Sequence, residues 1–587
     1  MRTFPQHPAH RASAPRPRAP HPRAPCPGTE GLRAAKAAGP KRIFGSRSLN
    51  LGFVLGLVSI GCVPPGDGVP PPMDRVYFPV ALEITESKAH LIVVGSDFDL
   101  QFNQGTVHSL DLERIRSRLP RVCSKDDDCG AEQLCDTQAS DENKGRPTFY
   151  CVASSGPDQG EPCPQVGLKP WAQLATAPGT CAPWPLETED GDESLIADVV
   201  QTAAFATDAT LLKRPSDAPV GAPERLLVPV RGDSSLHWFD VTDGKLECGQ
   251  EHSRGGCSSE YSARDNPDIL LSLDPRRELE VPPEPYEVAA SSDGRVLAVT
   301  HQTTALVSAF THDWVKGPKV VALARGLPGN PLGIASFPSR PASTPGGQTG
   351  PGFFATFKDR AEVHVLRFID DVSAASGSEP SLVGPRLLDV ARVPVTLNAS
   401  GVVSRGLVVD SRRRDAATAQ CDANDSDCLN SAGRIPLGVY VANRSPNSLL
   451  LGTTGHSSDA GDASDVPTFF GSVPLTQGPS GVFLGDIINP EGELEPRVFV
   501  TCFDSSVVYV IDPERKRIET EFFAGRGPQS VAFDVRPDAD AQPQALMYVA
   551  QFTDSYVSVM SLDQRFPETY GSTLATLGIP IQPRASK

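Results

Sequence analysis

The chain has 587 residues, and 54 Lys and Arg against 71 Asp and Glu leave a formal net charge of −17. Its 57 Pro and 51 Gly break the sequence about once every five residues, which excludes a protein of long helices and favours short strands joined by turns. Ten of the bases but only one acid, Glu30, lie in residues 1–61. The rest is too acidic to neutralise phosphates, so no nucleic-acid partner is expected.

Residues 1–40 are rich in Pro, Arg, Ala and His and hold no apolar pattern that could fold; they read as a disordered or mis-started leader. Residues 41–61 read as a signal peptide, with Lys41, Arg42 and Arg47 ahead of the apolar run LNLGFVLGLVSIG. That run, from Leu49 to Gly61, is too short to span a bilayer. Cys62 follows Gly61 and resembles the lipobox cysteine of bacterial lipoproteins, although Ser59 stands where such boxes usually carry an aliphatic residue. The resemblance implies lipidation at Cys62, with residues 62–74 as a Pro/Gly-rich tether. The expected address is the outer membrane or surface of a Gram-negative bacterium, with the lipid anchor as the membrane contact. The alternative is a soluble periplasmic or secreted protein cut at the same bond.

Residues 75–587 carry a strand-turn-strand phrase seven times, beginning at Leu91, Leu226, Val296, Phe353, Val439, Val498 and Met547. The clearest copies are VFVTCFDSSVVYVIDP and MYVAQFTDSYVSVMSL. Each copy is an apolar run, a polar turn and an alternating run, the pattern of a β-hairpin. Segments starting at Pro285, Asn330, Gly478 and Gly527 precede four of the phrases and read as innermost strands, with small residues such as Gly333, Ala335, Gly481 and Ala532 suited to a crowded axis. Self-similarity of this kind predicts an all-β, seven-bladed β-propeller.

The longest interruption, residues 120–190, holds Cys123, Cys129, Cys135, Cys151, Cys163 and Cys181 in an acidic setting that cannot bury enough apolar surface to fold unaided. The spacing lacks the close C-x2-C pairs of zinc sites, so three internal disulfides are expected. Cys248 with Cys257 and Cys421 with Cys428 form two further local candidate pairs. With Cys26 in the leader and Cys62 at the lipidation site, Cys502 is left as a buried thiol within a strand.

The phrases at Val498 and Met547, with GRGPQSVAFDV between them, resemble the YVTN-type β-propeller repeats of bacterial surface and periplasmic proteins. The match is strong from about Pro479 to Leu562, fair at Val439 and Leu226 and weak at Val296 and Phe353. Cys502 stands where the motif has Asn, and Ala442 where it has Thr. The resemblance implies a seven-bladed propeller. Its members range from surface proteins to lactonase-like enzymes, so no activity follows from it.

Other features are expected to be structural. Asp422, Asn424, Ser426 and Asp427 offer oxygen ligands, but Asp427 occupies the place where a calcium loop needs Gly. Asp126, Asp127 and Asp128 read as an exposed acidic turn, and Arg231-Gly232-Asp233 as a tight hairpin tip. His108, His237 and His364 take one equivalent position in three blades, too far apart to share a metal. No catalytic, cofactor or metal residue is assigned. The inner segments show few acids, Glu287 and Asp534 being the clearest. The expectation is a non-enzymatic binding or scaffolding surface for a protein or glycan of the cell envelope. The alternative is a lactonase-like hydrolase with its site at the central channel.

Overall fold

The computed structural model describes residues 68–581 apart from residues 124, 137–149, 157–158, 161–162, 164–180, 182, 188–193, 216–217, 251–253, 272–273, 339–349, 371–383, 396–401, 423, 456–464 and 538–544. The segments expected to be a leader and a signal peptide, with Cys26 and Cys62, lie outside the described residues. Within them the seven expected hairpins are the two central strands of seven antiparallel blades, six of them four-stranded and blade 2 five-stranded. Blade 1 comprises Pro79–Ile84, His90–Gly95, Gln104–Asp111 and Ile196–Ala203. Blade 6 comprises Pro479–Ile488, Leu494–Cys502, Val507–Asp512 and Arg517–Phe523. Each blade takes its strands in chain order, with the Cys-rich hairpin Gln133–Asp136 and Tyr150–Ala153 set between the third and fourth strands of blade 1, and blade 7, from Pro528 to Leu577, closes the ring against blade 1.

The core is divided. Seven clusters of buried side chains lie one at each seam between neighbouring blades. Central strands are therefore apolar on both faces, which explains runs such as VFVTC in place of strict alternation. In blade 6, Val500 and Tyr509 face blade 5, whereas Phe499 and Val510 face blade 7. Cys502 is fully buried against blade 5, and that burial pushes its thiol up to about 11, so it stays neutral and unreactive.

The inner strands share a geometry that recurs around the ring. A residue of positive φ stands at or near the start of each: Phe78, Glu284, Asn330, Gly478 and Gly527 immediately precede their strands, Phe205 lies five residues before Thr210–Leu212, and Val403 is the second residue of Val402–Asp410. In five blades the next residue is a proline, Pro79, Pro285, Pro331, Pro479 or Pro528, whose missing N–H is harmless at a strand start. A register shift follows at once, as between Pro285 and Val288, Pro331 and Ile334, Pro479 and Val482, and Pro528 and Val531. Such a bulge leaves extra residues unpaired and turns them toward the axis.

All ten cysteines expected to pair do so. Cys123 joins Cys135, Cys129 joins Cys151 and Cys163 joins Cys181. The two local pairs are Cys248–Cys257 and Cys421–Cys428. The sulfurs of Cys123, Cys129 and Cys151 lie together because two bridges cross there, so they offer no thiolate to a metal. The Cys421 segment is more than the disulfide-closed loop that the sequence suggests: the bridge joins the end of one short helix, Arg412–Ala419, to a second, Ser426–Gly433, and Asp425 caps the second by accepting from Asp427 and Cys428 N–H.

The end of the long insertion closes the ring. Cys181 N–H donates to Leu574 O at 3.1 Å, Trp184 N–H to Thr576 O at 2.8 Å and Gly578 N–H to Trp184 O at 2.7 Å, extending the outer edge of blade 7. The Trp184 ring is 1% exposed in the core shared by blades 1 and 7. Trp184→Ala is expected to cost about 3–5 kcal/mol, read as a lower urea midpoint. An unchanged midpoint would show that the seam holds without it.

Val510→Asp, which buries a charge between blades 6 and 7, is expected to cost several kcal/mol. Ser505, in the adjacent turn, is not a neutral comparator: its hydroxyl donates to Gln477 O at 2.8 Å and meets Thr476 Oγ1 at 2.7 Å. Ser505→Ala should therefore cost about 1 kcal/mol. Equal losses in urea for the two variants would contradict this register.

Candidate functional site

The bulged residues of the inner strands meet in the axial channel. Thr207 and Asp208 come from blade 2, Tyr286 and Glu287 from blade 3, Leu332 and Gly333 from blade 4, Arg405 and Gly406 from blade 5, Ser480 and Gly481 from blade 6, and Gln529 and Ser530 from blade 7. They enclose a void of about 80 Å³. That volume holds a few waters or a small ion, well short of the several hundred Å³ of a typical small-molecule pocket.

Most polar groups here bind the neighbouring blade. Asp208 Oδ2 accepts from Val288 N–H at 3.0 Å, and Glu287 Oε2 accepts from Ile334 N–H at 2.9 Å. Glu83, lower on blade 1, accepts from Leu211 N–H. Thr207 Oγ1 donates to Tyr286 O at 2.6 Å, Thr300 Oγ1 to Leu332 O at 2.8 Å and Thr356 Oγ1 to Arg405 O at 2.8 Å. At the closing seam Ser530 Oγ accepts from Leu82 N–H and Ser555 Oγ from Phe78 N–H, each at 3.1 Å. Where no side chain intervenes the backbones nearly touch: a Cβ on Gly333 would collide with Arg405 O, and one on Gly406 with Ser480 O.

Burial sets the electrostatics. It pushes Glu83 up to about 8, helped by the charge of Asp208, and Asp208 up to about 6. Glu287 is raised well above the usual carboxylate range by burial and then by Asp208. The Tyr286 phenol is also held above its ordinary value by burial and stays protonated.

Of the two acids singled out in the inner segments, Glu287 reaches the channel and Asp534 does not. Asp534 is fully buried between blades 7 and 1, pairing with Arg116 at 2.9 Å and Arg536 at 3.3 Å. The expectation of a mostly small and apolar channel needs correction, because Asp208, Tyr286 and Arg405 line it too. Tyr286 lay inside a recognised inner segment; the inner strands of blades 2 and 5 lack the Pro signal, so nothing marked Asp208 or Arg405. The three equivalent histidines stay in separate blades. His237 bonds Thr202 and Asp233, His364 lies 3.1 Å from Asp389, and His108 is buried with its pKa lowered to about 4 by burial. Arg231 and Asp233 of the hairpin tip are tied to Glu284 and to Arg264. Among the acidic turn residues, Asp126 accepts from Cys135 N–H and Asp128 from Lys125 N–H.

No protein-family model matches the chain, and no curated protein does. Among solved structures it is similar to Kuenenia stuttgartiensis hydrazine synthase, at 11% identity over 87% of this chain and 99% of that one, with a TM-score of 0.39. A protein from Lactobacillus plantarum matches at 9% identity over 78% and 87%, TM-score 0.34. Dihydro-heme d1 dehydrogenase NirN in complex with DHE matches at 13% over 67% and 71%, TM-score 0.32. At these scores the likeness carries no chemistry across to this chain.

The raised acids set a pH dependence. A carboxyl whose folded pKa exceeds its unfolded value stabilises the fold fully below the unfolded value, about 4, and loses that contribution as pH rises toward the folded value. Urea midpoints should therefore fall between about pH 4 and pH 8 through these groups and level off above. Asp208→Asn should flatten the lower part of that decline; an unaltered profile would show that Asp208 does not titrate in this window.

Proposed function

We propose that this chain is a lipid-anchored envelope propeller that acts by binding, with no chemical step of its own. The observation that carries this reading is the state of the axial carboxylates: Asp208 and Glu287 each hold a backbone N–H of the next blade. Those contacts aim both carboxyls at the next blade, whereas a general base or nucleophile has to be aimed at a substrate. The void is also too small to admit a lactone beside them.

The outer surface supports binding. Outer strands of three successive blades expose Leu388 and Val390, Phe470, and Ile518 and Phe523, the last at 73%. Apolar side chains on adjacent edges suit an envelope partner, protein or glycan. The five disulfides fit export to an oxidising compartment, and no described helix is long and apolar enough to cross a membrane. In this reading Cys62 carries the lipid that holds the propeller at the membrane.

The test has two arms. A panel of lactones and esters should show no turnover above that of the Asp208→Asn/Glu287→Gln double variant, and turnover abolished by that variant would establish the hydrolase instead. Mass spectrometry of the N-terminal peptide should find an acylated Cys62. An unmodified Cys62 in an aqueous detergent phase removes the anchor.

A further inference from the structure

Arg405 differs from the other charged residues of the channel. Asp208 and Glu287 are turned to the backbone of the next blade, whereas nothing among the described residues bonds the Arg405 guanidinium, and its Nε is enclosed without a partner. The residue is half-buried, and an enclosed guanidinium nitrogen with no acceptor is unfavourable unless a ligand or water supplies one. Its surroundings add to the imbalance. Arg444, tied to Pro479 O at 3.0 Å, is held below its usual pKa first by burial and then by the charge of Arg405.

The end of the channel at which the inner strands begin is two-sided. One arc is aromatic: Phe98, half exposed, packs on Phe205 at 5.5 Å and on Phe552 at 5.3 Å, and Phe552 packs on Phe503 at 5.9 Å. Phe503 and Phe552 are anchored at the channel entrance, because their N–H groups donate to Gly478 and Gly527 O just before the inner strands. The opposite arc carries Lys358, whose N–H is bonded in the same way to Asn330 O.

We propose that the axial void at Arg405 binds a small organic carboxylate whose apolar or aromatic body rests on the phenylalanine arc. The planar guanidinium edge matches the two oxygens of a carboxylate, and the void of about 80 Å³ fits that headgroup and little more. The protonated Tyr286 phenol and the Gln529 amide, both in the channel wall, supply further donors. A dianion such as phosphate is disfavoured because the void lacks a second cation among its lining residues and holds Asp208 instead. This deepens the binding reading, yet its test is separate: turnover decides that reading, and carboxylate affinity decides this one.

Isothermal titration calorimetry on the mature protein, with benzoate, acetate and inorganic phosphate as probes, tests it. Benzoate should bind saturably at one site, acetate at least tenfold more weakly and phosphate not at all. Arg405→Met should weaken benzoate at least tenfold, Arg405→Lys should fall between, and the thermal midpoint of Arg405→Met should not drop, since it removes a charge that nothing pairs. If Arg405→Met fails to fold, Arg405→Gln carries the same comparison. The proposal is overturned by absence of saturable benzoate binding, by undiminished binding to the variant, by phosphate binding as tightly as benzoate, or by acetate matching benzoate.

Discussion

Everything in this fold hangs on how closely seven inner strands can approach one axis. A residue at positive φ, then a bulge, brings each strand in at the angle that leaves its next two side chains free to reach sideways. Those side chains, or the absence of one at Gly333 and Gly406, set the distance to the following blade. The seam cores lie outside this ring, and their apolar faces can interlock only if the inner strands stand at the correct spacing. Val403, a β-branched residue held at φ +74°, shows that the geometry is imposed even where the local sequence opposes it.

The same logic explains the long insertion. Every blade takes its strands in chain order from one stretch of the sequence, so no blade mixes the two ends of the propeller and the contact of blade 7 with blade 1 has no shared sheet. Trp184 provides the missing link through a stretch of parallel pairing and a buried ring. Arg116, from the short helix after the third strand of blade 1, does likewise by pairing with buried Asp534. The Cys163–Cys181 bridge ends at Cys181, whose own N–H bonds the edge of blade 7, so the disulfides hold the closing segment as well as the module.

Charge in the channel divides into two kinds. The acids are raised by burial and joined to backbone N–H groups of the next blade, which accounts for their place in the lining. Arg405 sits among them without taking either as a partner, because both carboxylates are already oriented by backbone N–H groups. A polar axis can thus mark assembly and still leave a single receptive point for a ligand.

Residue pattern alone was sufficient for the seven hairpins, because their strands are buried on both faces and bounded by polar turns, a signal that needs no distant partner. It was sufficient also for the disulfide set, since an acidic Cys-rich segment has no other staple, and for four of the five inner strands that open with Pro; Pro79–Ile84 was not recognised. The helices at Cys421 were missed because two one-loop helices have no apolar period to reveal them; mean packing there rests on Arg414 and Asp465, far apart in sequence. The channel lining was missed for a related reason. Asp208 and Arg405 stand in blades 2 and 5, almost 200 residues apart, and only the closing of the ring puts them around one void. Local periodicity reports which face of a strand is buried; which side chains meet across an axis depends on seven strands arriving together, and that is a property of the folded ring.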